Sequence, residues 1–200
     1  FLGKEDGGKR HYFSKPPTHP RVREFFRYSR NLSAEERLAG LRAISTLDSE
    51  NPRISNEIAK LLLEQGDYDQ AREWAFNSLY LCDGIQGRSR RNYLNYVKQN
   101  RAKAYRILAE ASFASGSIQG AIQDLSKALK LFPEDATLLG RLAEMQLCSG
   151  NIGAAQRDIQ KRIELESRPA TAFHAQARIM VSVALRILLT AGQEQCRQYC

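Results

Sequence analysis

One pattern of apolar and small residues occurs three times in this chain of 200 residues. Each copy has an apolar stretch with helical spacing, a short turn that contains Gly, and a second helical stretch with small residues. The turn glycines are Gly66, Gly116 and Gly150, and the last two lie 34 residues apart. Self-similarity at such a period is typical of helical hairpins that stack on one another. The pattern therefore predicts an all-α fold.

Each residue type in the pattern has a physical role. A turn glycine can adopt the left-handed conformation that ends a helix. Small residues let two paired helices approach closely, and these are Ala109 and Ala121 in one copy and Ala143 and Ala155 in the next. Pro133 ends the second helix of a hairpin, because proline cannot continue a helix interior. The residues predict where the helices turn and cross.

These residues resemble the tetratricopeptide repeat (TPR) family, most clearly over 102–169 and recognisably over 52–83. The resemblance implies an all-α, TPR-like α-solenoid of helical hairpins, to which we add capping helices and an extended N-terminal arm. The predicted segments are an arm over 1–31 and an array over 32–200, the array comprising a cap helix over 33–48, a repeat over 52–83, a basic insertion over 84–101, repeats over 102–135 and 136–169, and C-terminal capping helices over 170–200.

The two ends of the array carry their own signals. Ser33 followed by Glu36 is a capping box and predicts that a helix starts at Ser33. Residues 170–191 form an apolar stretch that predicts a C-terminal capping helix. The best candidate for a membrane span, Ile179 to Ala191, is interrupted by Arg186, so no membrane span is predicted. Arg162 stands where the family prefers a small residue, which predicts that the helix around it packs more loosely or runs longer.

Positive charge is concentrated in two segments. The formal net charge is +8, and residues 84–106 hold seven basic side chains and no acidic one. Residues 1–31 hold eight basic and three acidic side chains. Such clustering indicates an acidic protein surface or a polyanion as partner. The alternative, basic segments that are merely solvated, stays open.

The arm is rich in aromatic residues for a polar segment. Exposed aromatic rings cost free energy in water, so we predict that the arm docks. The predicted docking residues are Phe13, Phe25, Phe26 and Tyr28. Two docking places stay open: the chain's own array and a neighbouring protein.

In the TPR family the first helices of the pairs line a groove that binds peptides or partner helices, and the resemblance implies the same here. The groove residues that follow from it are Arg53, Asn56, Lys60, Lys103, Arg106 and Arg141. A basic groove would suit an acidic side chain or a C-terminal carboxylate. The alternative is a solvated helical face.

Some family members clamp the C-terminal carboxylate of heat-shock chaperones. Asn56, Lys60 and Arg141 stand at such positions in this chain. Ile107, however, stands where the second repeat should offer Asn, and the insertion changes the spacing of the first two pairs. The chaperone clamp is therefore the narrower of the groove hypotheses.

The insertion offers a second candidate surface. Its cations and aromatics are Arg88, Arg90, Arg91, Tyr93, Tyr96, Lys98 and Arg101. Surfaces that bind single-stranded nucleic acids combine phosphate attraction with base stacking in this way. Leu94 and Val97 lie beside the tyrosines at helical spacing, so a lengthened helix with one buried face would explain the aromatics without RNA.

Catalytic and metal-binding patterns are absent from the sequence. The histidines are His11, His19 and His174, and none belongs to a recognisable nucleophile set. Cys196 and Cys200 lack the second close pair that a zinc site needs. We predict no cofactor, no metal and no enzymatic activity.

The leading functional prediction is a non-catalytic scaffold or adaptor that binds other protein subunits within a larger multiprotein assembly. The alternative is an RNA-associated subunit of a ribonucleoprotein, such as an organellar ribosome, which would use the arm and the insertion. A removed organellar transit peptide would suit the pI of about 9.5, so a mitochondrial location is expected, and a cytoplasmic one otherwise.

Overall fold

A computed structural model describes residues 18–88, 93–165 and 177, and these residues form helices and turns without a strand. The helices are α1 (Pro20–Tyr28), α2 (Ala34–Ser45), α3 (Pro52–Glu64), α4 (Tyr68–Arg88), α5 (Leu94–Ala114), α6 (Ile118–Leu131), α7 (Ala136–Cys148) and α8 (Ile152–Leu165), with a 3₁₀ turn at Ser29–Asn31. The all-α prediction is confirmed. Phe13, the first part of the arm and the capping helices predicted over 170–200 lie outside the described residues, Ala177 excepted.

The chain divides into two compact units, residues 1–108 and 109–200. In the first unit, α3 and α4 form a hairpin whose turn residue Gly66 has φ +83°. The buried core of this unit includes Leu41 from α2, Ile54 and Ile58 from α3, and Leu108 from α5. The repeat pattern thus supplies both the turn and the apolar contacts.

Residues 20–31 are helical, so the prediction of an extended arm is wrong for this part. The α-helix begins at Pro20, and the preceding His19 accepts a hydrogen bond from the Arg21 amide at its Nδ1 atom, 3.3 Å away. The apolar side chains Val22, Phe25 and Phe26 share one helix face and pack against the core of the first unit. Burial of that face stabilises a helix that would be too short to persist alone.

The predicted docking residues of the arm differ in their contacts and exposure. Phe25 and Phe26 contact the core of their own unit, which is the first of the two docking places considered above. Tyr28 is 63% exposed. A glycine makes the contact possible, since a Cβ atom at Gly40 would overlap the Phe25 ring.

The predicted cap helix over 33–48 begins as expected and ends earlier. Ser33 Oγ accepts a hydrogen bond from the Glu36 amide at 3.2 Å, and the Ser33 amide donates to Glu36 Oε2 at 2.9 Å. Hydrogen bonds from the Ser33 backbone and side chain lower the pKa of Glu36. The helix ends at Ser45, and Leu47 is 45% exposed.

In its described residues, 84–88 and 93–101, the predicted basic insertion is largely helical. Helix α4 continues to Arg88 and α5 begins at Leu94, so the extra residues lengthen two helices. Tyr96 and Val97 are buried, whereas Leu94 is 43% exposed. This arrangement corresponds to the alternative of a lengthened helix with one buried face.

The second unit repeats the hairpin pattern. Gly116 and Gly150 have φ values of +82° and +81°, as predicted for residues that end a helix in the left-handed conformation. The small residues predicted at helix crossings are fully buried, namely Ala109, Ala121, Ala143 and Ala155. Arg162 on α8 lies against Gly140 on α7, where an added Cβ atom would overlap its guanidinium group. The small residue that makes room for Arg162 thus lies on the facing helix.

The thiol of Cys82 should be unreactive in the folded protein. Its thiol is fully buried, and burial raises its pKa to about 12. The pKa of a thiol in the unfolded chain is about 8.5. The stabilising contribution of the neutral thiol is therefore fully present at pH values below the pKa of the unfolded chain. It is lost as the pH rises towards 12, because only the unfolded state releases the proton in this range.

We expect the native protein and its Cys82→Ala variant to show the same number of thiols that react rapidly with Ellman's reagent. In denaturant the native sequence should show one more. A native-state difference of one rapidly reacting thiol would contradict the buried position of Cys82.

Candidate functional site

The first unit contains a pocket of about 210 Å³ between α1, α3 and α5. Its lining residues are Thr18 and Phe26 at α1, Asn51, Arg53 and Glu57 at α3, and Tyr96, Gln99, Asn100 and Lys103 on α5. Residues from three predicted groups thus meet here: Phe26 from the arm, Arg53 and Lys103 from the groove, and Tyr96 from the insertion. No pattern in the sequence placed them together.

A hydrogen-bonded network holds the pocket wall at the start of α3. The Tyr96 hydroxyl donates to Asn51 Oδ1 at 2.8 Å, and Asn51 Nδ2 donates to Asp48 Oδ2 at 3.0 Å. The same Asn51 oxygen accepts from the Arg53 amide at 3.1 Å and so caps α3. Tyr96 is 8% exposed, and burial raises the pKa of its phenol. Base stacking, predicted for Tyr96, does not fit a ring in this position.

Asn56 also differs from its predicted role at an exposed groove position. It is 3% exposed, and its Nδ2 donates to the backbone oxygen of Asn100 at 3.0 Å and to Asn100 Oδ1 at 3.2 Å. Asn100 Nδ2 in turn donates to the Tyr96 backbone oxygen at 2.9 Å. These bonds join α3 to α5 and occupy the donor of Asn56, so a chaperone clamp that uses this side chain is not supported.

Two exposed cations stand at the pocket. The Arg53 guanidinium carbon lies 3.9 Å from the centre of the Phe26 ring, which holds the cation in a defined position. Lys103 on α5 also lines the pocket. The one acidic side chain in the lining, Glu57, accepts a hydrogen bond from Arg37 Nη2 at 2.9 Å, so its charge is compensated. The local charge is therefore positive.

The remaining predicted groove cations are placed differently. Arg106 is exposed on α5, three residues after Lys103 and so on a neighbouring part of the same helix side. Lys60 Nζ lies 3.5 Å from Glu64 Oε1, and both side chains are about half exposed. An exposed ion pair of this kind contributes little to stability.

In the second unit, Arg141 is engaged with two acidic side chains. Its Nε atom donates to Glu110 Oε1 at 2.8 Å, a second bond reaches the other oxygen of Glu110, and Glu144 binds as well. The hydrogen bonds with Glu110 raise the pKa of Arg141. We predicted a groove cation available to a ligand, but this guanidinium already has two carboxylate partners.

The insertion residues do not form one exposed basic surface in the described part of the chain. Arg101 pairs with Asp83, and Tyr96 is buried. Lys98 and Tyr93 are partly exposed. The side chain of Arg88, and Arg90 and Arg91 altogether, lie outside what the structure describes.

Metal-binding side chains do not cluster in the residues that the structure describes. Over 18–88 and 93–165, no three His, Cys, Asp or Glu side chains come together as a metal site would require. His19 serves as the N-cap of α1. Within the same ranges, no helix is long and apolar enough to cross a membrane. Cys196 and Cys200 lie outside the described residues.

Sequence reasoning missed several residues of the pocket. Asn51, Glu57, Gln99 and Asn100 line it, and none belonged to a predicted site. Asn51 immediately precedes Pro52, and this pair is typical of a helix start. The capping role of Asn51 could therefore be predicted from the sequence. The positions of the other three in the pocket follow only from the contact between α3 and α5.

Comparison with known proteins identifies the repeat. Residues 102–145 match the family model described as tetratricopeptide repeat. The resemblance to the TPR family is confirmed. The matched TPR segment includes Gly116 and the small residues Ala109, Ala121 and Ala143, which carried the resemblance. No curated protein matches the sequence.

Two solved structures are similar to this chain, and the first of them supports the same fold. The crystal structure of MamA aligns with a TM-score of 0.56 at 17% identity, covering 83% of this chain and 91% of MamA. The structure of MamA 41-end from Desulfovibrio magneticus RS-1 has 20% identity and a TM-score of 0.36, covering 72% of this chain and 92% of its own. The first likeness shows the fold alone, and the predicted fold class of a TPR-like α-solenoid is confirmed.

Proposed function

We propose that this chain is a non-catalytic TPR scaffold that binds other proteins and forms a subunit of a larger assembly. The observation that carries the proposal is the exposed cationic side of the TPR-like helices in the first unit. Arg53 and Lys103 share one pocket there, and Arg106 follows on the same helix. An acidic segment of a partner protein is the complementary ligand.

Affinity purification of the full chain from its native cells tests the proposal. We expect a defined set of proteins that resists nuclease treatment. The set should be lost when Arg53, Lys103 and Arg106 are changed to Glu, because three attractive charges become repulsive. The matched control changes the exposed residues Arg72, Lys130 and Arg157 to Glu, which alters net charge equally. Equal loss in both variants would contradict a specific surface.

The second candidate is an RNA-associated subunit of a ribonucleoprotein. Its support is the charge of residues 84–106, with seven basic and no acidic side chains. Binding of RNA should weaken by orders of magnitude over a modest rise in salt. Two results together would favour this candidate. RNA should co-purify with the chain in a salt-sensitive way before nuclease treatment, and the co-purifying proteins should be lost after that treatment. The organellar location stays a prediction.

A further inference from the structure

We propose that the solvent-facing side of α1 and its 3₁₀ turn binds a segment of single-stranded RNA, through successive phosphates and one base. The inference goes beyond the scaffold function and rests on the second candidate function, the RNA-associated subunit, whose contact surface it names. The phosphates bind to the arginine stripe, which comprises Arg23, Arg27 and Arg30. The base stacks on the ring of Tyr28.

The cations of this short segment are all arginines. Residues 18–31 hold four arginines, no lysine and one acidic residue, Glu24. Arg21 and the three members of the arginine stripe are exposed. Arginine is well suited to phosphate recognition, because its planar guanidinium group presents several hydrogen-bond donors in a fixed arrangement. The segment therefore indicates a partner with several anionic groups.

The members of the arginine stripe follow one another along one side of the helix. They are four and then three residues apart, and helical residues at these separations have Cβ atoms about 5–6 Å apart. Over residues 18–88 and 93–165, none of the three forms an ion pair, whereas Arg37, Arg101 and Arg141 each have a carboxylate partner. A row of uncompensated cations matches the repeated negative charge of a polynucleotide backbone.

The opposite side of α1 fixes the position of the stripe. Val22 is fully buried, and Phe25 and Phe26 pack against the core of the first unit. Gly40 leaves room for the Phe25 ring, since a Cβ atom there would overlap it. A helix of this length would not persist alone, so docking is what presents the arginines in a row. Less freedom is then lost when a ligand binds.

Burial of the apolar side also separates RNA from two other anionic partners. Amphipathic helices that bind membranes insert their apolar side into the lipid, and the apolar side of α1 is already packed against the protein. The centre of a protein–protein interface is depleted in charged residues, whereas interfaces with DNA are polar and strongly positive. The exposed side of α1 offers cations and one aromatic ring, so it corresponds to a nucleic-acid interface.

Tyr28 is the aromatic residue on the exposed side. Its side chain is 63% exposed, whereas Phe25 and Phe26 pack against the core. It directly follows Arg27 and therefore lies about 100° further around the helix. Proteins that bind single strands combine phosphate attraction with stacking of bases on such rings. A duplex keeps its bases stacked on one another, so the exposed ring favours a single strand.

Fluorescence anisotropy with the full chain and labelled oligouridylate of about 16 nucleotides tests the ligand. We expect this RNA to bind more tightly than the same RNA paired with oligoadenylate, and at least as tightly as oligodeoxyuridylate. Tighter binding of the duplex or of the DNA, or no binding of any nucleic acid, would overturn the proposal. Binding of amidated hexaglutamate or of phosphatidylserine vesicles in place of oligouridylate would overturn it in favour of an acidic protein or a membrane.

The stripe variant carries Arg23→Gln, Arg27→Gln and Arg30→Gln, and it should keep α1 helical because glutamine and arginine have similar helix propensities. We expect the Kd for oligouridylate to rise about tenfold or more. The slope of log Kd against log salt concentration should fall by about 2, since each phosphate contact to a single strand contributes about 0.7. An unchanged Kd, with helix content retained by circular dichroism, would overturn the stripe as the contact surface.

Two control variants remove three positive charges each from other parts of the chain. Exposed positions outside α1 give the first control, and the insertion gives the second. The substitutions to Gln are at Arg72, Lys130 and Arg157 or at Arg88, Arg90 and Arg91. The first control should change the Kd less than about twofold. Weakening equal to that of the stripe variant would overturn the site in favour of general charge attraction, and a loss confined to the second control would place the RNA on the insertion.

The stacking role of Tyr28 has its own pair of variants. Tyr28→Leu removes the ring and should raise the Kd for oligouridylate about fivefold or more, because the base loses its stacking partner. Tyr28→Phe keeps the ring and should stay within about twofold of the native protein. Equal Kd values for the leucine variant and the native protein would overturn the stacking contact.

Failure of the surface and failure of the second candidate function give different results. If oligouridylate binds and the stripe variant binds it equally well, the surface on α1 is wrong and the RNA-associated subunit stands. If no RNA co-purifies with the unmodified chain, that candidate fails. In neither case does the nuclease-resistant set of proteins expected for the scaffold change.

Discussion

Replacing Ile58 with alanine is expected to lower the free energy of unfolding by about 2–5 kcal/mol. Ile58 lies on α3 and is fully buried in the core of the first unit. The substitution removes apolar contacts and leaves a cavity that the surrounding helices can fill only in part. Urea denaturation followed by circular dichroism measures the loss.

Tyr80→Ala is the control for this substitution. Its side chain on α4 is 75% exposed, so its removal should change the free energy of unfolding by no more than about 0.5 kcal/mol. A similar loss in the two variants would show that Ile58 does not occupy the buried position described here.

Gly116→Val is expected to lower the free energy of unfolding by about 2 kcal/mol. Gly116 has φ +82°, a conformation that a β-branched residue adopts at high cost. No heavy atom lies within 4 Å of the position that a Cβ atom would take. The whole cost therefore comes from the backbone and not from a clash.

Gly116→Asn separates the backbone effect from the loss of glycine itself. Asparagine enters the left-handed region far more readily than valine, so this variant should lose less than about 1 kcal/mol. Equal losses for valine and asparagine in thermal or urea unfolding would contradict the left-handed turn.

The repeat hairpins could be predicted because their signals are local. A turn glycine, the small residues around it and a capping box such as Ser33 with Glu36 act within a few residues of one another. Helix α1 also carries a local signal. Pro20 at a helix start and apolar residues at positions 22, 25 and 26 indicate an amphipathic helix, whereas the prolines before it suggested an extended chain.

The candidate site could be predicted only as separate parts. Arg53 and Lys103 were predicted as groove residues, but Arg141 was predicted in the same way and is paired with Glu110 and Glu144. Asn56 was expected at an exposed groove position and is buried against Asn100. Whether a polar side chain faces a ligand or a neighbouring helix depends on residues far away in the sequence.

The helical hairpins, their left-handed glycine turns and the excess of positive charge could be predicted from the amino-acid order, because periodicity, backbone preference and composition need no partner. Which charges stay available depends instead on the tertiary structure. It brought Phe26 beneath Arg53, buried Tyr96 and gave Arg141 two carboxylate partners. Packing determines these positions, because burying a polar group costs free energy unless another group forms a hydrogen bond or ion pair with it. That partner is often distant in the chain.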